Sequence, residues 1–527
     1  MSKYDIFYRT NLYRKEFVMQ YFKNLKKEFS GYSASAFAGD IMAGITVSAV
    51  ALPLALAFGV SSGATAAAGM ITAILAGIVI GLLSGASYQI SGPTGAMAAI
   101  LVSLAATYGM NGMLTAGLIS GILLILAAVF RLGRLVAYIP SPVITGFTSG
   151  IALVIALGQI DNFFGTVSSG TGVAEKFFSY GELGFKPHLF TVLFGVLAIA
   201  IMVFWPKKWN AKIPGSLIAI IVCLILNMVV SPEGVAVVGE IPRTILSPDR
   251  LRLTSIPFKD IGGLLSPAIS IAALGMIESL LCGASAGKMK DEKLDANQEL
   301  IAQGVGNILL PFFGGIPATA AIARTSVAIK SGQRTRITGI VHSLILLASM
   351  FLLSPFMSQI PLSALAGVLM VTAWRMNEWH FIKYIFRNKL KFPIIQYLVT
   401  MVVTLFSDLT VAIVAGVVVS MVLYVVQSNL NIGVEKADKK VIFRLSGVLF
   451  FGSQEKLLES ITENTADAEE VIFDFSGLAV FEDSVSGELH TTIASLKDSG
   501  KTVRLEGLAG KIAAQAERTG ITELVKK

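Results

Sequence analysis

The sequence predicts an α-helical polytopic membrane protein of about 14 spanning helices, arranged as two sets of seven, with a small α/β domain at the C-terminal end. Three observations predict this class. Residues 41–130 contain no Asp, Glu, Lys or Arg, and the whole chain is 54% hydrophobic and only 14% charged. Basic residues return at intervals between the apolar blocks. After residue 433 the composition becomes that of a soluble domain.

The predicted N-terminal segment, residues 1–36, is basic and lacks an apolar stretch followed by a small-residue cleavage site, so we expect no removable signal peptide. Basic clusters then occur in alternate connections, at residues 131–134, 207–212, 288–293, 330–336, 383–391 and 436–440. This positive-inside pattern explains the formal net charge of +8 without a nucleic-acid partner. It predicts a multi-pass protein of the inner (plasma) membrane with both termini in the cytoplasm and the long loops 161–187 and 232–263 outside.

The apolar blocks give the predicted crossings, which lie in a transmembrane domain over residues 37–433 surrounded by membrane lipid. The first set covers approximately residues 37–60, 63–84, 93–107, 112–130, 136–159, 188–205 and 213–231. The second set covers approximately residues 264–284, 296–313, 317–330, 336–354, 361–376, 392–407 and 409–430. The even number of crossings agrees with two termini on the same side.

Two crossings, each the third of its set, are short and open with proline. The residues at these starts are Pro93, Thr94, Gly95 and Ala96 in the first set, and Pro317, Ala318, Thr319 and Ala320 in the second. Proline suits the first turn of a helix, where its missing N–H would have had no partner. Short, interrupted crossings in matching positions indicate an inverted repeat with its ligand site at the membrane midplane.

Each proline would then end an extended segment and begin a half-helix inside the membrane, where the free N–H groups and the positive dipole end can hold an anion. The alternative for residues 89–100 is a surface loop followed by an ordinary helix. The paired element at residue 317 favours the half-helix. Glycines at four-residue spacing, namely Gly77, Gly81, Gly85, Gly117 and Gly121, predict close helix packing or are simply tolerated there.

Two charged residues within apolar crossings are candidates for function. Glu278 is the lone acid of its crossing and is expected to bind a proton or cation, or to form an ion pair between helices. Arg324 follows the second half-helix start, where it either supplies a fixed positive charge for an anion or extends toward the cytoplasmic end. Cys223 and Cys282 are the only cysteines, and we expect buried thiols, with no disulfide and no metal site.

The C-terminal region, residues 434–527, is predicted to be a charged linker at residues 436–440 followed by a cytoplasmic α/β domain. Strand patterns occur at residues 441–445, 471–475 and 502–505, and helical patterns occur near 455–464, 485–498 and 509–518. These elements alternate as expected for a compact α/β unit.

With these residues in hand, the chain resembles the sulfate permease (SulP) family of anion transporters along nearly its full length. The matching segments are residues 51–59, 89–96, 277–281, 298–304, 314–319 and 408–412. The resemblance implies a 7+7 inverted repeat divided into core and gate subdomains, which commonly works as a homodimer. It also implies that the C-terminal unit is a STAS domain (sulfate transporter and anti-sigma factor antagonist), with Ser484 at the position where soluble relatives are phosphorylated. The alternative role for Ser484 is a helix N-cap.

By the same resemblance, the anion lies between the two half-helices, with Glu278 and its neighbours lining the pocket. Branches that carry sodium-dependent bicarbonate transporters tend to pair Asp with Thr one turn later, where this chain has Glu278 and Cys282. A thiol is a poor ligand for sodium, which prefers oxygen. Those carriers also lack an arginine at the position of Arg324. The chain is therefore expected to be proton-coupled or uncoupled, with sodium as the alternative coupling ion.

The function predicted from the sequence is secondary active transport of a small anion, such as sulfate, bicarbonate or a dicarboxylate. The alternatives are a sodium-dependent bicarbonate symporter, an anion channel, or a membrane-anchored regulator acting through its STAS domain. No enzyme site and no cofactor are expected. Residues 283–288 lack the glycine spacing of a phosphate loop, which argues against ATP-driven transport.

Overall fold

The structure of the chain is a computed structural model that describes residues 21–134, 139–170, 173–206, 209, 213–407, 409–427, 430–449, 451–481 and 483–526. The first twenty residues of the predicted N-terminal segment lie outside the described residues. The chain forms two compact units, Met1–Val417 and Val418–Lys527. The first is helical, and the second contains a four-stranded sheet with helices.

Most helices before residue 428 coincide with the predicted apolar blocks, while helices over Val173–Leu183 and Trp379–Arg387 lie in the predicted connections. In the first half they are α1 (Ala34–Ser61), α2 (Ala66–Leu83, π-helical over Ala76–Ile80), α3 (Gly95–Val129), α4 (Ser141–Gly158), α5 (Ile160–Phe164), α6 (Val173–Leu183), α7 (Leu189–Phe204) and α8 (Gly215–Val230). In the second half they are α9 (Ile261–Lys290), α10 (Ala296–Phe313), α11 (Ile322–Lys330), α12 (Ile337–Leu352), α13 (Ser354–Met357), α14 (Leu362–Met376), α15 (Trp379–Arg387), α16 (Lys391–Phe406) and α17 (Leu409–Gln427).

Five helices of the described chain are long and apolar enough to cross a membrane, namely Ala34–Ser61, Ala66–Leu83, Gly95–Val129, Ser141–Phe164 and Phe258–Lys290. Six shorter apolar helices of 10–17 residues accompany them. Helix α3 is broken at Gly109, where φ is 67° and ψ is −175°, a conformation that glycine adopts without a Cβ penalty. The two parts of α3 correspond to two of the predicted crossings. The total of about 14 crossings stays a prediction.

Glycines allow several of these helices to approach one another closely. A Cβ built on Gly121 of α3 would lie 2.7 Å from the carbonyl oxygen of Gly304 in α10. Close approach is confirmed at four of the glycines predicted to provide it, namely Gly77, Gly85, Gly117 and Gly121. The same prediction is wrong for Gly81, because a Cβ there would have no heavy atom within 4 Å.

The two predicted half-helices are each preceded by a short strand. The strands β1 (Ser91–Gly92) and β2 (Thr319–Ala320) pair antiparallel, with Gly92 opposite Thr319. Helix α3 begins at Gly95, and the hydroxyl of its N-cap residue Thr94 accepts a hydrogen bond from the N–H of Met97. This start agrees with the sequence prediction.

The second half-helix, α11, begins at Ile322, so the predicted helix start at Pro317 is wrong. The backbone after Pro317 is extended because the amide of Asn307 in α10 binds it from the side. The Asn307 Nδ2 donates to the carbonyl oxygen of Ala318 at 3.0 Å, and the Asn307 Oδ1 accepts from the Ala318 N–H at 2.7 Å. A non-local side chain therefore replaces the hydrogen bonds that a helix would supply.

The second unit contains a sheet with the strand order β3-β4-β5-β6. The strands are β3 (Asn431–Ala437), β4 (Lys440–Leu449), β5 (Glu470–Phe481) and β6 (Thr502–Glu506), and the helices are α18 (Phe451–Asn464), α19 (Asp483–Asp498), α20 (Gly510–Arg518) and α21 (Ile521–Lys526). Strand β3 is antiparallel to β4, and the other neighbours are parallel. The rings of Phe443 and Phe473 stack in the core with their centroids 5.4 Å apart.

The segment predicted to be a linker, residues 436–440, is instead part of the β3–β4 hairpin. Asp438 adopts a positive φ of 52° at the turn, a conformation that Asp tolerates better than most residues. The prediction was wrong because Glu435, Lys436 and Lys439 give this hairpin the composition of a solvated linker. Charged residues are common on edge strands, where they hinder pairing with another chain.

Candidate functional site

The paired strands β1 and β2 bring the two predicted half-helix starts together. Because the strands run antiparallel, α3 and α11 leave the pair in opposite directions, and both N-termini border it. The first N–H groups of a helix have no partner within that helix, and the helix dipole adds a partial positive charge at the same end. The strand pair is therefore flanked by two positive helix ends.

A single carboxylate oxygen joins the two halves of this site. The Glu278 Oε2 accepts a hydrogen bond from the Thr94 hydroxyl at 2.9 Å and from the Thr319 hydroxyl at 2.7 Å. The two hydroxyl oxygens lie 3.4 Å apart. Glu278 lies on α9 and is partly exposed, whereas both threonines are buried. The predicted coupling-ion residue is therefore in direct contact with residues of both half-helix starts.

The guanidinium of Arg324 lies in the interior beside this contact, with only 1% of the residue exposed. Its Nη2 donates to the carbonyl oxygen of Pro93 at 2.5 Å, while its Nη1 is buried without a hydrogen-bond partner. Space for Nη1 depends on Gly92, where a Cβ would lie 2.2 Å from that nitrogen. The alternative that Arg324 extends to the membrane surface is wrong. A permanent positive charge is held against the end of β1.

A row of polar side chains on α10 contacts the strand pair β1–β2 and the residue just before β2. The Gln303 Nε2 donates to the Ser91 hydroxyl at 3.0 Å and to the Glu299 Oε1 at 2.8 Å. Asn307, one turn further on, holds Ala318. Glu299, Gln303 and Asn307 are not among the predicted site residues, although their four-residue spacing within an apolar crossing places them on one helix face and indicates a shared polar contact.

The segment before β1 is fixed by α9 and α11. The Gln89 Nε2 donates to the carbonyl oxygen of Ser279 at 2.7 Å, and the Ile90 N–H donates to the Thr325 hydroxyl at 3.0 Å. The Cys282 thiol donates to the same Thr325 oxygen at 3.5 Å. Cys282 is a buried thiol that is not in a disulfide, and it shares the Thr325 hydroxyl with the segment before β1.

A cavity of about 520 Å³ reaches the start of α3. It follows one face of α3 from Gly95 to Tyr108 and is bordered by the ends of α4 and α16 near Gly158 and Phe406. Glu175 and Lys176 of α6 also line it. Among the predicted residues 93–96 and 318–320, all of which are buried, Gly95 lines this cavity, so it is where the cavity meets the half-helix.

The predicted regulatory residue Ser484 lies in the second unit, within the first turn of α19. Its side chain is outside the part of the chain that the structure describes. Phosphorylation of Ser484 and its alternative role as a helix N-cap both stay predictions.

Comparison with known protein families identifies both units. The profile described as "Sulfate permease family" matches residues 37–403, and the profile described as "STAS domain" matches residues 431–527. The chain belongs to the sulfate permease family. Its members are transporters, so the prediction of a transport protein rather than an enzyme is confirmed. The expected helical transport domain with a C-terminal STAS domain is confirmed as well.

Individual relatives agree with this assignment. The chain is 32% identical to "Putative sulfate transporter YvdB" of Bacillus subtilis, over 95% of this chain and 97% of the relative. It is 30% identical to "Bicarbonate transporter BicA" of Picosynechococcus sp., over 91% of this chain and 90% of the relative. Both relatives span nearly the full sulfate permease and STAS region.

Two solved structures share the fold. The transmembrane domain of a cyanobacterium bicarbonate transporter BicA is 28% identical and superposes with a TM-score of 0.67, covering 72% of this chain and 97% of that one. The murine anion transporter Slc26a9 in the inward-facing state gives a TM-score of 0.84 at 17% identity, covering 97% of this chain and 92% of that one. At that identity, the second likeness concerns the fold alone.

Proposed function

We propose that this member of the sulfate permease family moves a small oxyanion, such as sulfate, bicarbonate or a dicarboxylate, across the membrane as a secondary transporter. The observation that carries the proposal is the joining of Thr94 and Thr319, one at each half-helix start, by Glu278. The anion would lie at the N-terminal ends of α3 and α11, beside residues 93–96 and 318–320. The sulfate and bicarbonate transporters among its relatives support this substrate class.

The charges around the site support binding of an anion rather than a cation. Two helix N-termini each contribute a partial positive charge of about half a unit. Arg324 adds a full positive charge, and within the described residues no carboxylate oxygen lies within 4 Å of its nitrogens. Glu278 offsets one positive charge when it is ionised and none when it is protonated. The site therefore carries about one net positive charge when Glu278 is ionised and about two when it is protonated. A divalent anion such as sulfate is balanced when it binds together with a proton, and a monovalent anion such as bicarbonate is balanced without one.

This balance favours proton-coupled or uncoupled transport, with alternating access exposing the site to each side of the membrane in turn. A sodium-dependent bicarbonate symporter is the second candidate, since a bicarbonate transporter is among the relatives and the family resemblance includes sodium-dependent carriers. By the family resemblance, Cys282 stands where the sodium-dependent carriers tend to have threonine, and a thiol is a poor ligand for sodium, which disfavours that ion. We further propose that the protein works as a homodimer in the inner membrane, with both termini cytoplasmic.

The experiment that tests this function is uptake of labelled sulfate, bicarbonate and fumarate into proteoliposomes, with and without imposed pH and sodium gradients. We expect saturable uptake of at least one anion, stimulated by a proton gradient but not by sodium. The Glu278→Gln variant should lose the stimulation by the proton gradient, because its side chain cannot exchange a proton. Glu182→Gln, at an exposed position, serves as the matched control and should keep it.

Each alternative function, namely an anion channel, a sodium symporter or a regulator, predicts a different experimental result. Unitary currents in planar bilayers would identify an anion channel. Stimulation by sodium alone would identify the sodium symporter. The absence of flux for every small anion, together with capture of a soluble partner by residues 431–527, would identify a regulator acting through the STAS domain.

A further inference from the structure

A short amphipathic helix, α15, connects the ends of two apolar helices, α14 and α16. Its apolar residues recur every three to four positions, so they form one stripe, while Lys383 and Arg387 lie one turn apart on another face. The helix ends where Lys389 adopts a positive φ of 52° and the Leu390 N–H donates to the carbonyl oxygen of Ile385 at 3.0 Å. This closing bond is typical of a helix C-terminus.

The apolar stripe fixes α15 against its neighbours. Ile385 is fully buried, and the ring of Phe386 meets the ring of Tyr397 in α16 edge-on, with centroids 6.0 Å apart. At the other end, the Trp379 indole N–H donates to the carbonyl oxygen of Trp374 at 3.0 Å. The helix is therefore held at the common end of two apolar helices and presents its outer face in one orientation.

The exposed side of α15 and of the adjoining ends of α14 and α16 combines aromatic rings with positive charge. Trp374 is 64% exposed, Tyr384 57% and Phe386 44%. Four exposed cations accompany them, namely Lys383, Arg387, Lys389 and Lys391. In the described part of the chain, none of these cations has a carboxylate oxygen within 4 Å. We call these seven residues the α15 surface.

We propose that the α15 surface binds the headgroups of anionic phospholipids. Tryptophan and tyrosine concentrate where hydrocarbon meets water, because their rings are apolar and their edges are polar. Clustered lysine and arginine on an amphipathic helix attract anionic headgroups, and the guanidinium of Arg387 can hold a phosphate through two parallel hydrogen bonds. A phospholipid fits this surface because it supplies a phosphate for the cations and acyl chains for the exposed rings together.

The tryptophans of the chain provide the test. Replacing Trp205 and Trp209 with Phe leaves Trp374 and Trp379 as the only indoles, and both report on the α15 surface. The full-length protein is reconstituted into vesicles of equal parts phosphatidylglycerol and phosphatidylcholine, in which only one of the two lipids carries bromine on its acyl chains. We expect brominated phosphatidylglycerol to quench the indole fluorescence about twofold more than brominated phosphatidylcholine.

Two variants with equal loss of charge separate this surface from general electrostatics. In the triple variant Lys383→Gln, Arg387→Gln, Lys391→Gln, the two brominated lipids should quench the indole fluorescence equally. The control triple variant Lys186→Gln, Arg252→Gln, Lys259→Gln changes exposed cations in the two long loops and should keep the difference. In the chain with all its cations present, raising the salt concentration should lower the ratio of quenching by brominated phosphatidylglycerol to quenching by brominated phosphatidylcholine. This measurement does not depend on how the triple variants fold.

Equal quenching by the two brominated lipids in the chain with all its cations would overturn the proposal. The proposal would also be overturned if the quenching ratio of the two lipids stayed the same after loss of Lys383, Arg387 and Lys391, or if it fell equally in both triple variants. The proposal does not depend on the transported anion, so it stands or falls separately from the proposed function.

Discussion

At the residue scale, the site depends on Glu278 accepting hydrogen bonds from two threonines on one oxygen. Thr94 is the N-cap of α3, and Thr319 belongs to the strand that leads into α11. A change in the charge of Glu278 alters both hydrogen bonds at once, because a protonated carboxyl accepts more weakly than a carboxylate. Protonation at this position is therefore linked to both half-helix starts.

We predict that Thr319→Val and Glu278→Gln have non-additive effects on the initial rate of anion uptake. Once either partner of the 2.7 Å hydrogen bond is altered, that bond is already weakened, so altering the second partner removes less interaction free energy. Residue pairs in contact typically differ from additivity by about 0.5–3 kcal/mol. A double-mutant cycle on uptake rates measures this. Thr115→Val is the control, since its hydroxyl bonds within its own helix to the Asn111 carbonyl oxygen, and it should combine additively with Glu278→Gln.

Gly92 provides a second prediction at this scale. The Gly92→Ala variant should lower both the thermal unfolding temperature in detergent and the uptake rate, because the new Cβ would lie 2.2 Å from the Arg324 Nη1. Overpacking of a buried site costs about 1–3 kcal/mol. Gly262→Ala is the matched control, since a Cβ at that exposed position of α9 has no heavy atom within 4 Å. Equal melting temperatures for the two variants would contradict the close contact.

At the scale of elements, the irregular backbone at the site is stabilised by α10. Membrane interiors lack water to bind free N–H and C=O groups, so extended backbone there requires protein partners. Asn307 supplies these partners to the backbone of Ala318 just before β2, and Gln303 holds β1 through the side-chain hydroxyl of Ser91. The packing of α10 against α3 therefore determines where the strand pair lies, and the glycines at that contact determine how close the two helices come.

We predict that Gly121→Ala destabilises the protein while Gly81→Ala does not. In α3, a Cβ on Gly121 would lie 2.7 Å from both the carbonyl oxygen of Gly304 and the N–H of Ile308, and backbone atoms cannot move aside as a side chain can. The expected cost is about 1–3 kcal/mol. At Gly81 the space is open, and alanine is the better helix former by roughly 1 kcal/mol. Thermal unfolding of the two variants in one detergent tests this, and the opposite order would contradict it.

At the scale of the whole molecule, the sequence predicted the features that depend on composition and periodicity. The apolar blocks and the two short crossings that open with proline follow from patterns that lie within single segments, whereas the placement of Glu278 beside the half-helix starts follows only from the family resemblance. Pro317 misled the helix prediction because proline favours extended backbone as readily as a first helical turn. The choice was made by Asn307, whose amide belongs to a different helix, and no local pattern contains that contact.

The STAS boundary was missed for a related reason. Strand β3 alternates between exposed and half-buried residues and is heavily charged, so by itself it has the composition of a linker. Its identity as a strand comes from pairing with β4 across seven residues, from Asn431 opposite Ser446 to Ala437 opposite Lys440. Pairing of this kind is a tertiary interaction, which overrides local propensity.

The position of β3 leads to a prediction about where the second unit can be cut. Ile432 and Val434 pack against the core of the sheet, and Leu430 just before them is 1% exposed. We expect a fragment of residues 430–527 to unfold cooperatively. A fragment of residues 441–527, which begins where the sequence pattern placed the first strand, should melt at a lower temperature and aggregate, because it loses this apolar contact and exposes the edge of β4.

Circular dichroism during heating, combined with size-exclusion chromatography, distinguishes the two fragments. The variant Lys436→Gln within residues 430–527 is the control, since it removes a charge from β3 without removing the strand, and it should melt near the unaltered fragment. Equal stability of the fragments that begin at residues 430 and 441 would mean that β3 contributes little to the sheet. In that event the charged hairpin would behave as the linker that its composition indicates, because pairing with β4 would then add no more free energy than ordering the strand costs.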